Sequence, residues 1–161
     1  MSEHVDYSFM RSGFENLETQ DETLENVGSV VMTFMENAMK SADIYVKHAK
    51  RNSITPEDIK RGLMLEVFLM KNRPNMLEQC ETMKTRIKEI IRDEEENGEE
   101  VIIGEEKEEE EEEDEPFTVS TCRCAICNCF NNIYTRWEGF TPELPMEKIL
   151  IKSINAIHTE T

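Results

Sequence analysis

The chain has 161 residues, enough for one domain with a small appendage, and its hydrophobic content of 38% is sufficient for a core. Charged residues make up 33% of the chain and aromatic residues only 7%, a composition that favours helices over a β-sandwich. The formal net charge of −17 is concentrated in one segment, because residues 93–115 hold sixteen acidic residues and one lysine. The rest of the chain is nearly neutral, so the acidic character belongs to this segment and does not exclude anionic partners for the folded parts.

No apolar run is long enough to span a bilayer, and residues 1–10 lack the basic and apolar regions of a secretory signal. We therefore expect an intracellular protein that is not secreted and has no membrane partner, with its five cysteines reduced. The chain contains no nucleophile elbow, phosphate-binding loop or zinc-protease pattern, so we expect no enzymatic activity and no required cofactor.

The predicted elements are all helices. Apolar residues at helical spacing predict a short first helix over residues 7–17. Thr19 and Glu22 form a capping-box signature that predicts the start of a second helix. Apolar residues then recur every three or four positions up to about residue 49, so the second helix has about 30 residues and a length of about 45 Å.

A third helix is predicted from Thr55 as N-cap, Pro56 at the first position and acids at Glu57 and Asp58, and it ends near Arg73. The chain then divides into an extension helix (74–92), an acidic low-complexity linker (93–116) and a Cys-rich helical tail (117–161). The linker is expected to be disordered or a frayed helix, and Thr141-Pro142-Glu143 predicts the start of the last helix.

A short, a long and a short helix within residues 1–73 make an awkward monomer. The long helix exceeds the width of a small domain, and two short helices cannot cover its broad apolar stripe from one side. An uncovered stripe would be a large apolar patch of the kind that monomers avoid. We therefore expect a second chain to cover it, and the module to fold together with that chain.

The stretch FMENAMKSADIYVKHAKRNSITPEDIKRGL, residues 34–63, resembles the second helix, second loop and third helix of core histones. It is most similar to the smaller of the two arginine-rich core histones and to archaeal histones. The matching residues are Phe34, Glu36, Asn37, Ala42, Tyr45, His48, Ala49, Lys50, Arg51, Ile54, Thr55 and Asp58. The resemblance implies a histone fold over residues 1–73 and does not extend to the acidic linker or the Cys-rich tail.

In the histone family two chains clasp head to tail, and the first loop of one lies beside the second loop of the other against DNA. The resemblance implies a histone-like architectural protein that binds double-stranded DNA non-specifically, with Arg51 and Asp58 bracing the second loop. The implied DNA-contacting residues are Lys47, Lys50, Arg51, Asn52, Ser53, Lys60 and Arg61. The implied dimer interface consists of Val31, Phe34, Met35, Ala38, Ala42, Tyr45, Ile59 and Leu63. Charge alone favours an ordinary solvated face for this basic cluster, and it is the position of the loop in the family that favours phosphate contact.

The sequence departs from the family at the first loop, where Leu17-Glu18-Thr19-Gln20-Asp21 contains no arginine. Up to Glu36 the only basic residue is Arg11, against eight acids. The departures favour a different histone-fold chain over a second copy as the partner, because such a chain could supply a basic first loop. The alternative is a dimerisation subunit of a transcription or chromatin complex, or an acidic histone-binding protein, without its own DNA contact.

The remaining segments leave alternatives open. Cys122, Cys124, Cys127 and Cys129 are dense enough to bind zinc, but they fit equally well as reduced packing residues of a helix. A disulfide is the third and less favoured interpretation. His158 is a distant candidate ligand. The acidic linker is either a solvated tether or a mimic of DNA charge that restrains the basic loops. A histone fold with these segments differs from standard cellular histones. The resemblance therefore implies either a nuclear protein or a histone-like protein of a large DNA virus, located in the virion or the viral factory.

Overall fold

The computed structural model describes residues 8–98 and 115–159, with side chains described from residue 22 onward apart from that of residue 97. Within these residues all regular structure is helical, as predicted. The helices are α1 (Ser8–His48), α2 (Pro56–Leu69), a 3-10 turn (Met70–Asn72), α3 (Met76–Asn97), α4 (Ala125–Asn131), α5 (Ile133–Glu138) and α6 (Pro145–Asn155). None of the described helices combines the length and the apolar character that crossing a membrane requires.

The N-terminal helix differs from the prediction. A short helix over residues 7–17 and a new start at Thr19 were expected, but α1 runs without a break from Ser8 to His48. Residues 17–21 contain neither proline nor glycine, so nothing in their backbone forces the helix to end. Thr19 and Glu22 fit a capping box, but both residue types are also accommodated inside a helix, so the signature was ambiguous.

The start of α2 confirms the local reading of the sequence. Thr55 adopts an extended N-cap conformation, its side chain accepts a hydrogen bond from the Asp58 backbone, and Pro56 occupies the first helical turn. The α2 helix ends at Leu69, and the 3-10 turn carries the chain to Asn72. The following helix, α3, extends to Asn97 and so includes the first residues of the predicted acidic linker. The acidic residues 99–114 lie outside the described residues.

The last helix begins later than predicted, at Pro145 rather than at Thr141-Pro142. The carboxylate of Glu147 accepts hydrogen bonds from the backbone N–H groups of Glu143 (2.9 Å) and Leu144 (3.0 Å). A helix with Thr141 as its N-cap would have Leu144 at the third helical position. The leucine side chain has no atom that could accept a hydrogen bond from the backbone N–H groups at the helix start. The acidic residue three positions after the cap therefore decides which of the two prolines opens the helix.

The chain forms two compact units. The first contains the described residues of Met1–Thr33 and Leu77–Val101. In this unit Lys84 of α3 donates to the side chain of Asn26 on α1 at 2.9 Å, and Lys88 lies 3.4 Å from Glu25. Met83 of α3 is buried in the same unit. The unit is thus held by α3 against the first part of α1.

The second unit contains Phe34–Met76 and the described residues of Ile102–Thr161. Its core joins the end of α1, α2 and the C-terminal helices, and consists of Phe34, Ala42, Tyr45, Met64, Leu65, Val67, Cys127, Phe130, Ile133 and Ile154. Helices α1 and α2 cross at Gly62, where an added Cβ would lie 2.7 Å from the carbonyl oxygen of Ala38. The Cys-rich tail is therefore an integral part of this core.

Tyr45 is the main link between α1 and the tail. Its ring is fully buried and stacks on Phe130 with centroids 4.5 Å apart. Its hydroxyl donates to the side chain of Asn131 at 2.7 Å and accepts the backbone N–H of Ser120 at 3.1 Å. Four residues of the predicted dimer interface, Phe34, Ala38, Ala42 and Tyr45, are thereby buried within the chain itself.

The same helix keeps a second apolar face exposed. Val31 and Met35, also predicted to lie in a dimer interface, are 39% and 47% exposed. Further large apolar side chains of α1 are exposed at Leu24, Val27, Met32, Met39 and Ile44. The described part of the chain therefore covers one face of α1 and leaves another uncovered.

Candidate metal centre and basic loop

Four metal-ligating side chains meet where α1 ends. His48 is the last residue of α1, and Cys122, Cys124 and Cys127 lie just before and within the first turn of α4. Their ligand atoms all lie within 4.8 Å of one another. The Nδ1 atom of His48 is 3.3 Å from the Cys124 sulfur and 3.4 Å from the Cys127 sulfur. The group could hold a metal ion.

The local fold explains how the cysteines reach His48. Cys124 is the N-cap of α4, and its sulfur accepts the backbone N–H of Cys127 at 3.5 Å. Cys122 donates its backbone N–H to the Ser120 hydroxyl at 3.1 Å, and Ser120 in turn donates its backbone N–H to Tyr45. Since Tyr45 and His48 are three residues apart on α1, they lie on the same side of the helix. Tyr45 thus positions the cysteine segment against His48.

The thiols at this site differ in their proton affinity. The backbone N–H of Cys127 lowers the pKa of Cys124 to about 6, with smaller contributions from the Cys127 and Cys122 thiols and His48. Burial raises the pKa of Cys127 to about 11, and the neighbouring sulfurs add to that rise. The lowered pKa of Cys124 favours its thiolate, which is the form that binds metals.

The sequence identified three of the four residues. Cys129 was grouped with the other cysteines, but it lies outside the cluster, and its sulfur accepts from Arg136 at 3.5 Å. The other candidate ligand, His158, is also outside the cluster. His48 had been assigned to the basic loop, and no local signal links it to cysteines more than 70 residues away. All five cysteines are free thiols in the structure.

The basic residues predicted to contact DNA fall into two groups. Arg51 and Arg61 are engaged inside the protein: Arg51 pairs with Asp58, while Arg61 donates to Glu57 at 2.8 Å and to the carbonyl of Phe130 at 2.9 Å. Lys60 donates to the carbonyl of Ile157 at 2.9 Å. These three cations hold the loop and the tail in place.

Lys47 and Lys50 belong to the second group, because both side chains are exposed. Lys47 pairs with Asp43 on the same helix at 2.6 Å. Lys50 has a φ of 58°, in the left-handed region. Its backbone N–H bonds to the carbonyl of Lys47, and that of Arg51 bonds to the carbonyl of Val46. This pair of bonds is a Schellman motif, in which glycine usually occupies the position of Lys50.

Asn52 and Ser53 complete the loop between α1 and α2. Ser53 accepts a hydrogen bond from Arg51 through its carbonyl, at 3.4 Å. The backbone N–H of Asn52 donates to the carboxylate of Glu115 at 2.8 Å. Glu115 is the last residue of the acidic run in the sequence. The loop therefore already binds an anionic group through its backbone.

Nothing in the sequence indicated that Glu57 joins α2 to the C-terminal tail through several hydrogen bonds. Its buried carboxylate accepts from Arg61, from the Tyr134 hydroxyl at 2.8 Å and from the Thr159 hydroxyl at 2.6 Å. Burial alone would raise the pKa of Glu57, but these hydrogen bonds hold it below its ordinary value. Burial and the bond to Glu57 raise the pKa of Tyr134 to about 12. The acid appeared in the sequence only as a first-turn residue of α2.

No protein-family model, curated protein or solved structure matches the chain.

Proposed function

We propose that the chain is a histone-like helical module that acts by pairing with another protein chain. The observation that carries this proposal is the exposed apolar face of α1. The exposed apolar side chains are Leu24, Val27, Val31 and Met32 in the first unit, and Met35 and Met39 in the second. Apolar side chains of this number are seldom left in water, and covering them stabilises a complex by roughly 25 cal/mol per Å².

The charge of the helix indicates what kind of chain covers it. The first 36 residues hold eight acidic residues and one basic residue, Arg11. A partner with basic residues opposite this stretch gains attraction. A second copy paired head to tail would place an acidic stretch beside a basic loop at each end, so half of each phosphate-contacting surface would lack basic residues. We therefore propose a different histone-fold chain with a basic surface as the partner. The exposed side chains of α1 include three methionines, Met32, Met35 and Met39. Because methionine side chains are flexible, they can pack against a partner surface whose shape does not match closely.

Sedimentation equilibrium and cross-linking with mass spectrometry test the pairing. Met35→Glu places a charge on the exposed face and should abolish the complex with the partner isolated from the source. Leu77→Glu is the matched control, because Leu77 is an exposed apolar residue on α3 outside this face. Equal pairing of both variants with the partner would refute the proposal, and self-association of the pure chain would identify a second copy as the occupant.

The same proposal includes a structural zinc ion at His48, Cys122, Cys124 and Cys127. Tetrahedral zinc with Zn–S of about 2.3 Å and Zn–N of about 2.0–2.1 Å separates sulfur from nitrogen by roughly 3.5 Å. The separations of 3.3 and 3.4 Å between His48 Nδ1 and the two sulfurs agree with that spacing. Three cysteines and one histidine fill all four positions, which is typical of structural rather than catalytic zinc. The ion would fasten the tail to the end of α1.

Metal analysis of the purified protein tests the zinc site. We expect one equivalent of zinc per chain, and a melting temperature that falls by several degrees when a chelator removes it. Restoring zinc should restore the melting temperature. A metal-free protein whose melting temperature does not respond to added zinc would rule out a structural zinc ion.

A second candidate function is contact of the basic loop with the DNA backbone. It is favoured by Lys50, which is exposed and holds a left-handed backbone conformation in which glycine would be less strained. Strain at one residue points to a use for its side chain, and an exposed lysine beside a loop N–H group is suited to phosphate. The contact would carry no sequence information, since phosphates are the same at every site.

Fluorescence anisotropy with duplex DNA at several salt concentrations tests this contact. Lys50→Glu should weaken binding and reduce the slope of log K against log salt by about 1 or more. Lys152→Glu on α6 makes the same charge change at another exposed lysine and serves as the control. A loss of affinity that is identical in the two variants would mean that only the net charge matters, and would remove the loop from the proposal.

A further inference from the structure

The acidic run of the sequence ends on the basic loop. Between Glu105 and Glu115 the sequence holds ten acidic residues and one lysine. The last of these acids, Glu115, accepts the backbone N–H of Asn52 at 2.8 Å. Asn52 lies two residues from the exposed Lys50, on the loop that is the second candidate for a DNA contact. A carboxylate of the chain itself therefore occupies an anion-accepting position of that loop.

The two residues after Glu115 explain why it lies there. Phe117 packs against two guanidinium groups: the carbon of the Arg51 guanidinium is 5.3 Å from the centre of the Phe117 ring, and that of Arg61 is 4.7 Å away. The same ring stacks near Tyr45 at 6.4 Å. Pro116 restricts the backbone of Glu115 to extended conformations. Phe117 thus anchors this segment, and its packing holds Glu115, the last acid of the run, beside the loop.

We propose that Glu115 is an intramolecular occupant of a phosphate-binding position formed by Asn52 and Lys50, and that it competes there with the DNA backbone. A carboxylate and a phosphate both accept hydrogen bonds from a backbone N–H and both attract a lysine. Anchoring through Phe117 gives Glu115 a high effective concentration at the loop, so an external phosphate must displace it. The inference rests on the proposed DNA contact of this loop.

The competition has a consequence for how DNA binding responds to salt. Glu115 leaves its site when phosphate enters, and the freed carboxylate then takes up counterions that partly offset those released from DNA. Removing the carboxylate charge should therefore both raise the affinity and steepen the salt dependence. A general effect of removing one negative charge would appear alike at any exposed glutamate, so a matched control separates it from competition at the loop.

The test uses the full chain with Glu115→Gln, which keeps the size of the side chain and removes its charge. Glu138→Gln is the matched control, since Glu138 is an exposed glutamate at the end of α5. We expect Glu115→Gln to bind duplex DNA roughly three- to tenfold more tightly than the wild type, and Glu138→Gln to change the affinity by less than about twofold. NMR spectra of both variants check that the fold is intact.

Inorganic phosphate provides an independent readout of the position itself. In the wild type the Asn52 amide resonance should respond to phosphate only at high concentration, whereas in Glu115→Gln it should shift at several-fold lower concentration. A shift with phosphate but no gain in DNA affinity would show a small-anion site that the DNA backbone does not reach, and would overturn the proposed competition.

Two further outcomes separate this inference from the function on which it rests. If Lys50→Glu weakens DNA binding while Glu115→Gln binds like the wild type, the loop contacts DNA but Glu115 does not compete, and the inference is wrong. If neither the wild type nor any variant binds DNA at low salt, the proposed DNA contact is wrong, and the proposed competition is wrong with it.

Discussion

The Arg51 guanidinium and the Asp58 carboxylate form a bidentate pair in which neither side chain is accessible to more than a few per cent. Nη1 of Arg51 lies 2.7 Å from one carboxylate oxygen of Asp58, and Nη2 lies 2.6 Å from the other. The same carboxylate accepts from the backbone N–H and the hydroxyl of Thr55. A single acid therefore braces the loop from α1 and caps the start of α2.

Replacing this acid should be costly. Asp58→Asn leaves the buried Arg51 guanidinium without a counter-charge and weakens the cap at Thr55, so we expect a loss of about 3–5 kcal/mol in the free energy of unfolding. Urea denaturation at neutral pH measures it. The control is Asp43→Asn, which removes the exposed partner of Lys47 and should cost less than about 0.5 kcal/mol. Similar losses in the two variants would contradict the structural role of Asp58.

The cost of Asp58→Asn should also depend on pH. Burial alone would raise the pKa of Asp58, but hydrogen bonds from Arg51 and Thr55 hold it below its ordinary value of 3.8. A carboxylate with a lowered folded-state pKa stabilises the fold above its unfolded pKa, and this contribution disappears as the pH falls through the folded-state pKa. The difference in unfolding free energy between wild type and variant should therefore stay constant above the ordinary value of 3.8 and shrink as the pH falls below it. A difference that stays constant below that value as well would contradict this assignment.

The start of α2 could be predicted because its signals are local. Thr55, Pro56 and Asp58 lie within four residues and determine the cap through short-range geometry. The helical class and the amphipathic pattern of the tail followed from periodicity in the same way. The unbroken course of α1 could not be predicted, because residues 17–21 are compatible with both a loop and a helix.

The candidate metal centre shows the other limit of sequence reasoning. A metal site was one of the interpretations that the cysteine spacing left open, but the histidine of the cluster is placed by tertiary contacts that have no sequence signature. His48 joins the cysteines because Tyr45 holds Ser120 and Asn131, which are 75 and 86 residues away from it. Cys129, the nearest remaining cysteine in the sequence, lies instead against Arg136.

The ligand set makes a sharp prediction for metal binding. His48→Ala should lower zinc affinity on the order of tenfold or more and reduce the melting temperature of the zinc-loaded protein. Cys129→Ser should keep one equivalent of zinc, because its sulfur is outside the cluster. Zinc titration with a colorimetric competitor measures both variants. Loss of zinc in Cys129→Ser, with retention in His48→Ala, would favour the four-cysteine set predicted from the sequence.

The crossing of α1 and α2 predicts opposite effects at two glycines. Gly62→Ala would place a Cβ 2.7 Å from the Ala38 carbonyl oxygen, so the helices must separate, and we expect a loss of about 1–3 kcal/mol in unfolding free energy. Gly28→Ala meets nothing within 4 Å and should gain about 0.5–1 kcal/mol from its higher helix propensity. Thermal and urea unfolding compare the two. A stabilising Gly62→Ala would show that the helices do not approach this closely.

Two substitutions of Lys50 distinguish its effect on stability from its proposed contact with DNA. Its φ of 58° is costly for any residue with a Cβ, so Lys50→Gly should raise the unfolding free energy by about 1 kcal/mol. Lys50→Ala removes the same charge without relieving the backbone and should leave stability unchanged within about 0.5 kcal/mol. Both variants should lose affinity for duplex DNA to the same extent, because both lack the ammonium group. If Lys50→Gly were more stable and bound DNA as well as the wild type, the strained backbone at Lys50 would have no connection to phosphate, and the pairing function would stand without the DNA contact.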